Sequence, residues 1–91
     1  MERFKAHWRS LTGAERQELA ELIGAGRRYL DNVALENERR QLSPKFCVWT
    51  ERATRGLFTC EELAPSEPWR RVKDRAWPVK EGRPVLDYAG D

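Results

Sequence analysis

The sequence is poor in the residues that build metal and redox sites. It has a single histidine, His7, and two cysteines, Cys47 and Cys60. These are too few and too widely spaced for a zinc site, so no metal is expected. The two cysteines read as reduced packing thiols of a cytoplasmic protein. No run approaches the ~20 apolar residues that a membrane span needs. The N-terminus lacks the basic-then-apolar order of a signal peptide. Paired acid–base groups and a phosphate loop are also missing, so neither an enzyme nor a bound cofactor is expected. Nor is there a large excess of one charge: 35% of residues are charged, yet the formal balance is only +2. That excludes a histone-like coat but leaves room for a local basic face.

What is present is helical patterning. The stretch from Arg16 to Leu35, RQELAELIGAGRRYLDNVAL, organises the chain. Leu19, Ala20 and Ile23 form an apolar stripe at helical spacing, and Tyr29, Leu30 and Val33 repeat it. Gly24 stands between them where the chain must bend, and Gly26 can cap the second helix. A small residue, a glycine turn and two apolar anchors are the pattern of a helix-turn-helix, whose second helix lies in the DNA major groove. An ordinary packed helical hairpin satisfies parts of the same pattern.

Around it, Phe4, Trp8 and Leu11 predict a first helix over 2–11, with Trp8 in the core. Thr12 and Glu15 have capping-box spacing and open a helix over 14–23. The recognition helix is expected over 27–36, followed by a polar loop in which Asn37 is a left-handed cap. Ser43-Pro44 starts a fourth helix over 44–55. Leu42, Phe46, Trp49, Ala53 and Leu57 form its apolar stripe, and Gly56 stops it. The β-prone content of 46–50 makes an extended segment the rival reading. Thr59 and Glu62 are a second capping-box pair, opening a helix over 60–64. These five helices predict an all-α domain over residues 1–64. From Pro65 the texture changes. Pro65, Pro68, Pro78 and Pro84 bar a long helix. Trp69, Val72, Trp77, Val79, Val85, Leu86 and Tyr88 still supply anchors. Residues 65–91 are expected as an extended tail, with room for a short hairpin, docking through its tryptophans.

In this order, Ser43-Pro44, the run Glu51-Arg52-Ala53-Thr54-Arg55-Gly56, then Thr59, Glu61-Glu62-Leu63, Pro65 and Trp69 resemble the Cro-like regulators of temperate phages. The nearest pattern is that of the YdaS-like subgroup, also described as antitoxins. That pattern reads S-P, E-x-A-T-x-G, T-x-E-x-L-x-P and a tryptophan. The resemblance implies a compact helical domain that binds a double-stranded DNA operator and controls transcription of a phage or prophage, as a repressor does.

Carried over by position, the base-contacting face is Arg27, Arg28, Asp31 and Asn32, with Leu35 beside a thymine methyl. The chemistry agrees: arginine can donate to guanine O6 and N7, asparagine can pair with adenine, and aspartate can accept from cytosine N4. Arg16 and Gln17 are placed for phosphates on one side, and Arg39, Arg40 and Lys45 on the other. A homodimer, at least on DNA, is expected because one recognition helix reads few base pairs. Its interface is sought after Leu57, at Phe58, Trp69 and Trp77; a tail that covers its own core is the competing reading. The alternative function is an antitoxin-type module that holds a toxin or other protein partner and uses the helix-turn-helix as a scaffold.

Overall fold

The computed structural model describes residues 1–36 and 41–87. Helix α1 spans Glu2–Ser10 and α2 spans Gly13–Ile23. Helix α3 spans Arg27–Asp31 and continues as a π-helical turn, Asn32–Glu36. Helix α4 spans Pro44–Ala53, and the short α5 spans Cys60–Leu63. Two strands follow, β1 Trp69–Val72 and β2 Arg83–Leu86. The helices stand where the spacing placed them, and residues 46–50 lie inside α4 rather than in a strand. The all-α expectation is corrected by the tail, whose strands pair antiparallel, Trp69 opposite Leu86 and Val72 opposite Arg83. The physical reason is that the tail's prolines exclude a helix but not a two-stranded ribbon. Pro84 needs no ladder donor on an outer strand position. Gly82 closes the hairpin at φ 106°, where a Cβ would lie 2.1 Å from the Val72 carbonyl oxygen.

Local chemistry fixes the helix ends. The Thr12 hydroxyl accepts from Glu15 N, and the Glu15 carboxylate accepts from Thr12 N at 2.9 Å, a complete capping box. Those bonds also hold the Glu15 carboxyl below its ordinary pKa. Gly24 adopts φ 81°, and both Gly24 N and Ala25 N donate to Ala20 O, ending α2 sharply. The second expected box does not form. Thr59 gives α5 no side-chain cap: Glu62 N bonds to the Thr59 carbonyl, and the Glu62 carboxylate turns to Arg3. Arg3 donates to both Glu62 oxygens at 2.8 Å and to Leu57 O at 2.7 Å, clamping α1 to the α5 region.

One core serves the helices. Phe4, Trp8, Ala20, Ile23, Leu30, Val33, Leu42, Phe58 and Leu63 are all buried in it. Phe58 meets Phe4 edge-on at 5.4 Å between ring centres. It therefore belongs to the chain's own core rather than to a surface left for a partner.

Helix α4 is rotated relative to its expected stripe. Trp49 and Leu57 are exposed, Phe46 and Ala53 are half-buried, and Leu42 alone of that set is fully covered. Cys47, Thr50 and Glu51 face inward instead. Hydrophobic counting misses this because it places no charge in a core. Glu51 can be there because every accepting position it needs is matched by a donor, as set out below.

Candidate nucleic-acid interface

The turn at Gly24 brings α3 across α2, with Leu30 and Val33 buried. Burial of these residues leaves Arg28 and Leu35 on the outer side, with Asp31 and Asn32 half-buried. Arg28 has no hydrogen-bond or ion-pair partner among the described residues, so its guanidinium is available to a ligand. Asn32 lies one turn on from Arg28, where the helix widens. Leu35 lines a hollow of about 350 Å³ with Glu2, Lys5, Arg9 and Ala34, so α1 flanks the π-helical turn that follows α3.

The other expected contacts are differently placed. The Trp8 indole donates to Asp31 Oδ1 at 2.8 Å. Arg16 and Arg27 stand 3.7 and 3.6 Å from the same carboxylate. Arg27 also donates to Gly13 O, and Arg16 donates to the Trp8 and Arg9 carbonyls. Asp31, Arg16 and Arg27 therefore form one polar junction where α1, α2 and α3 meet. The Arg9 and Trp8 carbonyls lie in the last turn of α1; Trp8 O also accepts from Leu11 N, and both have lone pairs left for a guanidinium. This junction ties α3 to α1 and α2. Gln17 bonds to Glu21 along the exposed side of α2. Lys45 is exposed at the start of α4, its ammonium 5.8 Å from the Phe46 ring centre. Arg39 and Arg40, like the Asn37 cap, lie outside the described residues.

A second polar centre was not visible as a site in the sequence. Glu51 is fully buried. Arg71 grips it in bidentate fashion, at 2.6 and 2.7 Å. The Trp77 indole donates to Glu51 Oε2 at 2.6 Å, and Cys60 N donates to Oε1 at 3.0 Å. Arg71 also bonds Gly82 O and both oxygens of Glu61. These carboxylates push the Arg71 pKa further up, and Arg71 holds the Glu61 carboxyl below its ordinary range. The group is an anchor for the hairpin, with every strong partner internal. The clue in the sequence was a glutamate at helical spacing from Cys47. Reading it needed Arg71, which lies far along the chain.

The tryptophans of the tail are likewise engaged within the chain. Trp69 donates to Ala64 O at 2.9 Å, and Trp77 to Glu51. The cysteines are no nucleophiles: both are buried and free, and burial pushes the Cys47 thiol up to about 12 and the Cys60 thiol further still. Among the described residues no group of His, Cys, Asp and Glu could hold a metal ion. Nor is any helix among them long and apolar enough to cross a membrane. Comparison with protein-family models, with curated proteins and with solved structures gives no match.

Proposed function

We propose that this chain is a sequence-specific double-stranded DNA-binding regulator, cytoplasmic and Cro-like, that acts as a repressor on a phage or prophage operator. The observation that carries the reading is Arg28, exposed on the outer side of α3 and without a partner among the described residues, on a helix braced from behind by the Asp31–Arg16–Arg27–Trp8 junction. A helix read in a groove must present a few polar side chains at fixed positions, and bracing by a second set of side chains supplies that fixity. Arg28 reads guanine, Asn32 reads adenine and Leu35 meets a thymine methyl. Lys45 and Gln17 meet phosphates, with Arg39 and Arg40 assigned the same work from the sequence alone. Arg27 and Arg16 reach phosphates by exchanging their weak links to Asp31. The arrangement of S-P, E-x-A-T-x-G and T-x-E-x-L-x-P supports the YdaS-like assignment.

Two copies bind one operator, because a single helix discriminates poorly in a genome. Half-sites then lie about one helical turn apart, roughly 34 Å. With Phe58 in the core, the dimer contact falls to the apolar hollow of about 310 Å³ between Pro44, Val48, Trp69, Pro84 and Leu86. Footprinting on the DNA flanking the gene tests the reading. An inverted repeat should be protected, and Arg28→Ala should weaken it by ~1–3 kcal/mol while leaving non-operator DNA nearly unaffected. Operator affinity unchanged by Arg28→Ala would remove α3 as the reading helix. One chain per complete operator, by native mass spectrometry, would reject the dimer.

A further inference from the structure

A different face of the molecule carries apolar surface. Leu22 on α2 is 61% exposed, and Trp49 on α4 is 37% exposed. With Ala53, Arg52 and Arg55 they line a hollow of about 470 Å³, within the size range of ligand sites. The hollow shares no residue with Arg28, Asn32 or Leu35. Its cations are unspent. Arg52 lies over the Trp49 ring at 5.5 Å, and no carboxylate among the described residues pairs with Arg52 or Arg55. Arg55 is also the one described non-glycine residue at positive φ, 52°. This is the left-handed turn that stops α4, closed by the bond from Gly56 N to Glu51 O.

We propose that this hollow is a docking site for an acidic amphipathic segment of a partner protein. Its apolar side chains enter between Leu22 and Trp49, and its carboxylates meet Arg52 and Arg55. Charge complementarity selects this occupant. Leu22 offers an aliphatic wall suited to the apolar side chains of a peptide, and the Arg52 guanidinium already lies over the Trp49 ring, where a base would have to stack. Glu18 and Glu21, on the exposed side of α2 beside Leu22, would repel a continuous phosphate chain. Discrete carboxylates need reach only the α4 side. Trp and Arg are also the residue types that dominate protein-binding hot spots.

The test selects a displayed random peptide library on the whole protein, with counter-selection on Trp49→Ala and on Arg52→Glu/Arg55→Glu. All these positions are exposed or half-buried, and circular dichroism checks that the variants fold. Enriched peptides should combine large apolar residues with Asp or Glu. Their affinity should fall about 30-fold on Trp49→Ala. The double reversal should shift enrichment to Lys and Arg peptides. Peptides without acidic residues, peptides indifferent to these variants, or no enrichment at all would overturn the proposal. So would an oligo-dT strand bound through Trp49, or self-association of the chain abolished by Trp49→Ala. None of these outcomes bears on Arg28 and the operator.

Discussion

Asp31 and Glu51 are built from the same parts and differ in their access to water. Each accepts a hydrogen bond from a tryptophan indole, Trp8 at 2.8 Å and Trp77 at 2.6 Å. Each faces arginine. Asp31, with 28% of its side chain exposed, holds Arg16 and Arg27 at 3.7 and 3.6 Å. Glu51, with none exposed, holds Arg71 at 2.6 Å. A charge out of water must be matched completely, whereas one near the surface is partly matched by solvent. The Glu51 centre can therefore only be made or broken. The Asp31 centre is held more loosely: water can replace an arginine at small cost while the Trp8 bond keeps the carboxylate in place.

The sharpest way to test the contrast is to delete each carboxylate. Glu51→Ala leaves Arg71 with Glu61 as its one carboxylate, strips Trp77 and Cys60 N of their acceptor beside a cavity, and should cost ~3–5 kcal/mol in urea unfolding. A cost below 1 kcal/mol, measured the same way, would mean that water reaches Glu51 and that the two centres are alike. Asp31→Asn keeps an acceptor for Trp8 and should cost only about 1 kcal/mol or less. Because it releases Arg16 and Arg27 and removes a negative charge, it should also tighten binding to non-operator DNA and steepen the salt dependence. Unaltered salt dependence would show that those arginines never reach phosphate.

Acid gives the smallest effect. Arg71 holds Glu61, and Arg3 holds Glu62, below the ordinary carboxylate pKa. Their folded values lie below their unfolded ones. Their contribution is thus complete above the ordinary carboxylate range, about 4.3, and lost as pH falls through the folded values. The urea midpoint should decline gradually below about pH 5, and Glu62→Gln should flatten that slope. An unchanged slope would leave the Arg3 clamp without electrostatic weight.

The contrast also explains what could be read from the sequence. Helix starts were legible where the signal is local, as in the Thr12–Glu15 box or with Pro44 opening α4, although the Ser43 side chain makes no capping bond. The apolar stripes of α1, α2 and α3 were legible because mostly apolar side chains are buried there, with Lys5 on α1 the exception. The inward face of α4 was not, since it carries Cys47, Thr50 and Glu51, and a buried glutamate makes sense only once Arg71 is in place. The hairpin was half legible: prolines announced the end of helix, but the pairing depends on the close approach of Gly82 to Val72. At the candidate interface, residue types suggested five base contacts. Only the fold separates Arg28, which stands clear, from Arg27 and Asp31, which brace the helix that carries it.

The distance along the chain between Glu51 and its partners has a kinetic consequence. Arg71 lies 20 residues on and Trp77 lies 26 residues on. The α1–α5 contacts close still longer loops, so distance alone does not set the order; Glu51, however, loses its water only when the hairpin arrives on a formed α4. Docking of the hairpin is then a late step of folding and its undoing an early step of unfolding. In stopped-flow chevrons, Arg71→Met should raise the unfolding rate and leave the refolding rate almost unchanged. The rate at which this protein is lost to proteases would accordingly be set at one arginine in its tail, far from the helix proposed to read DNA.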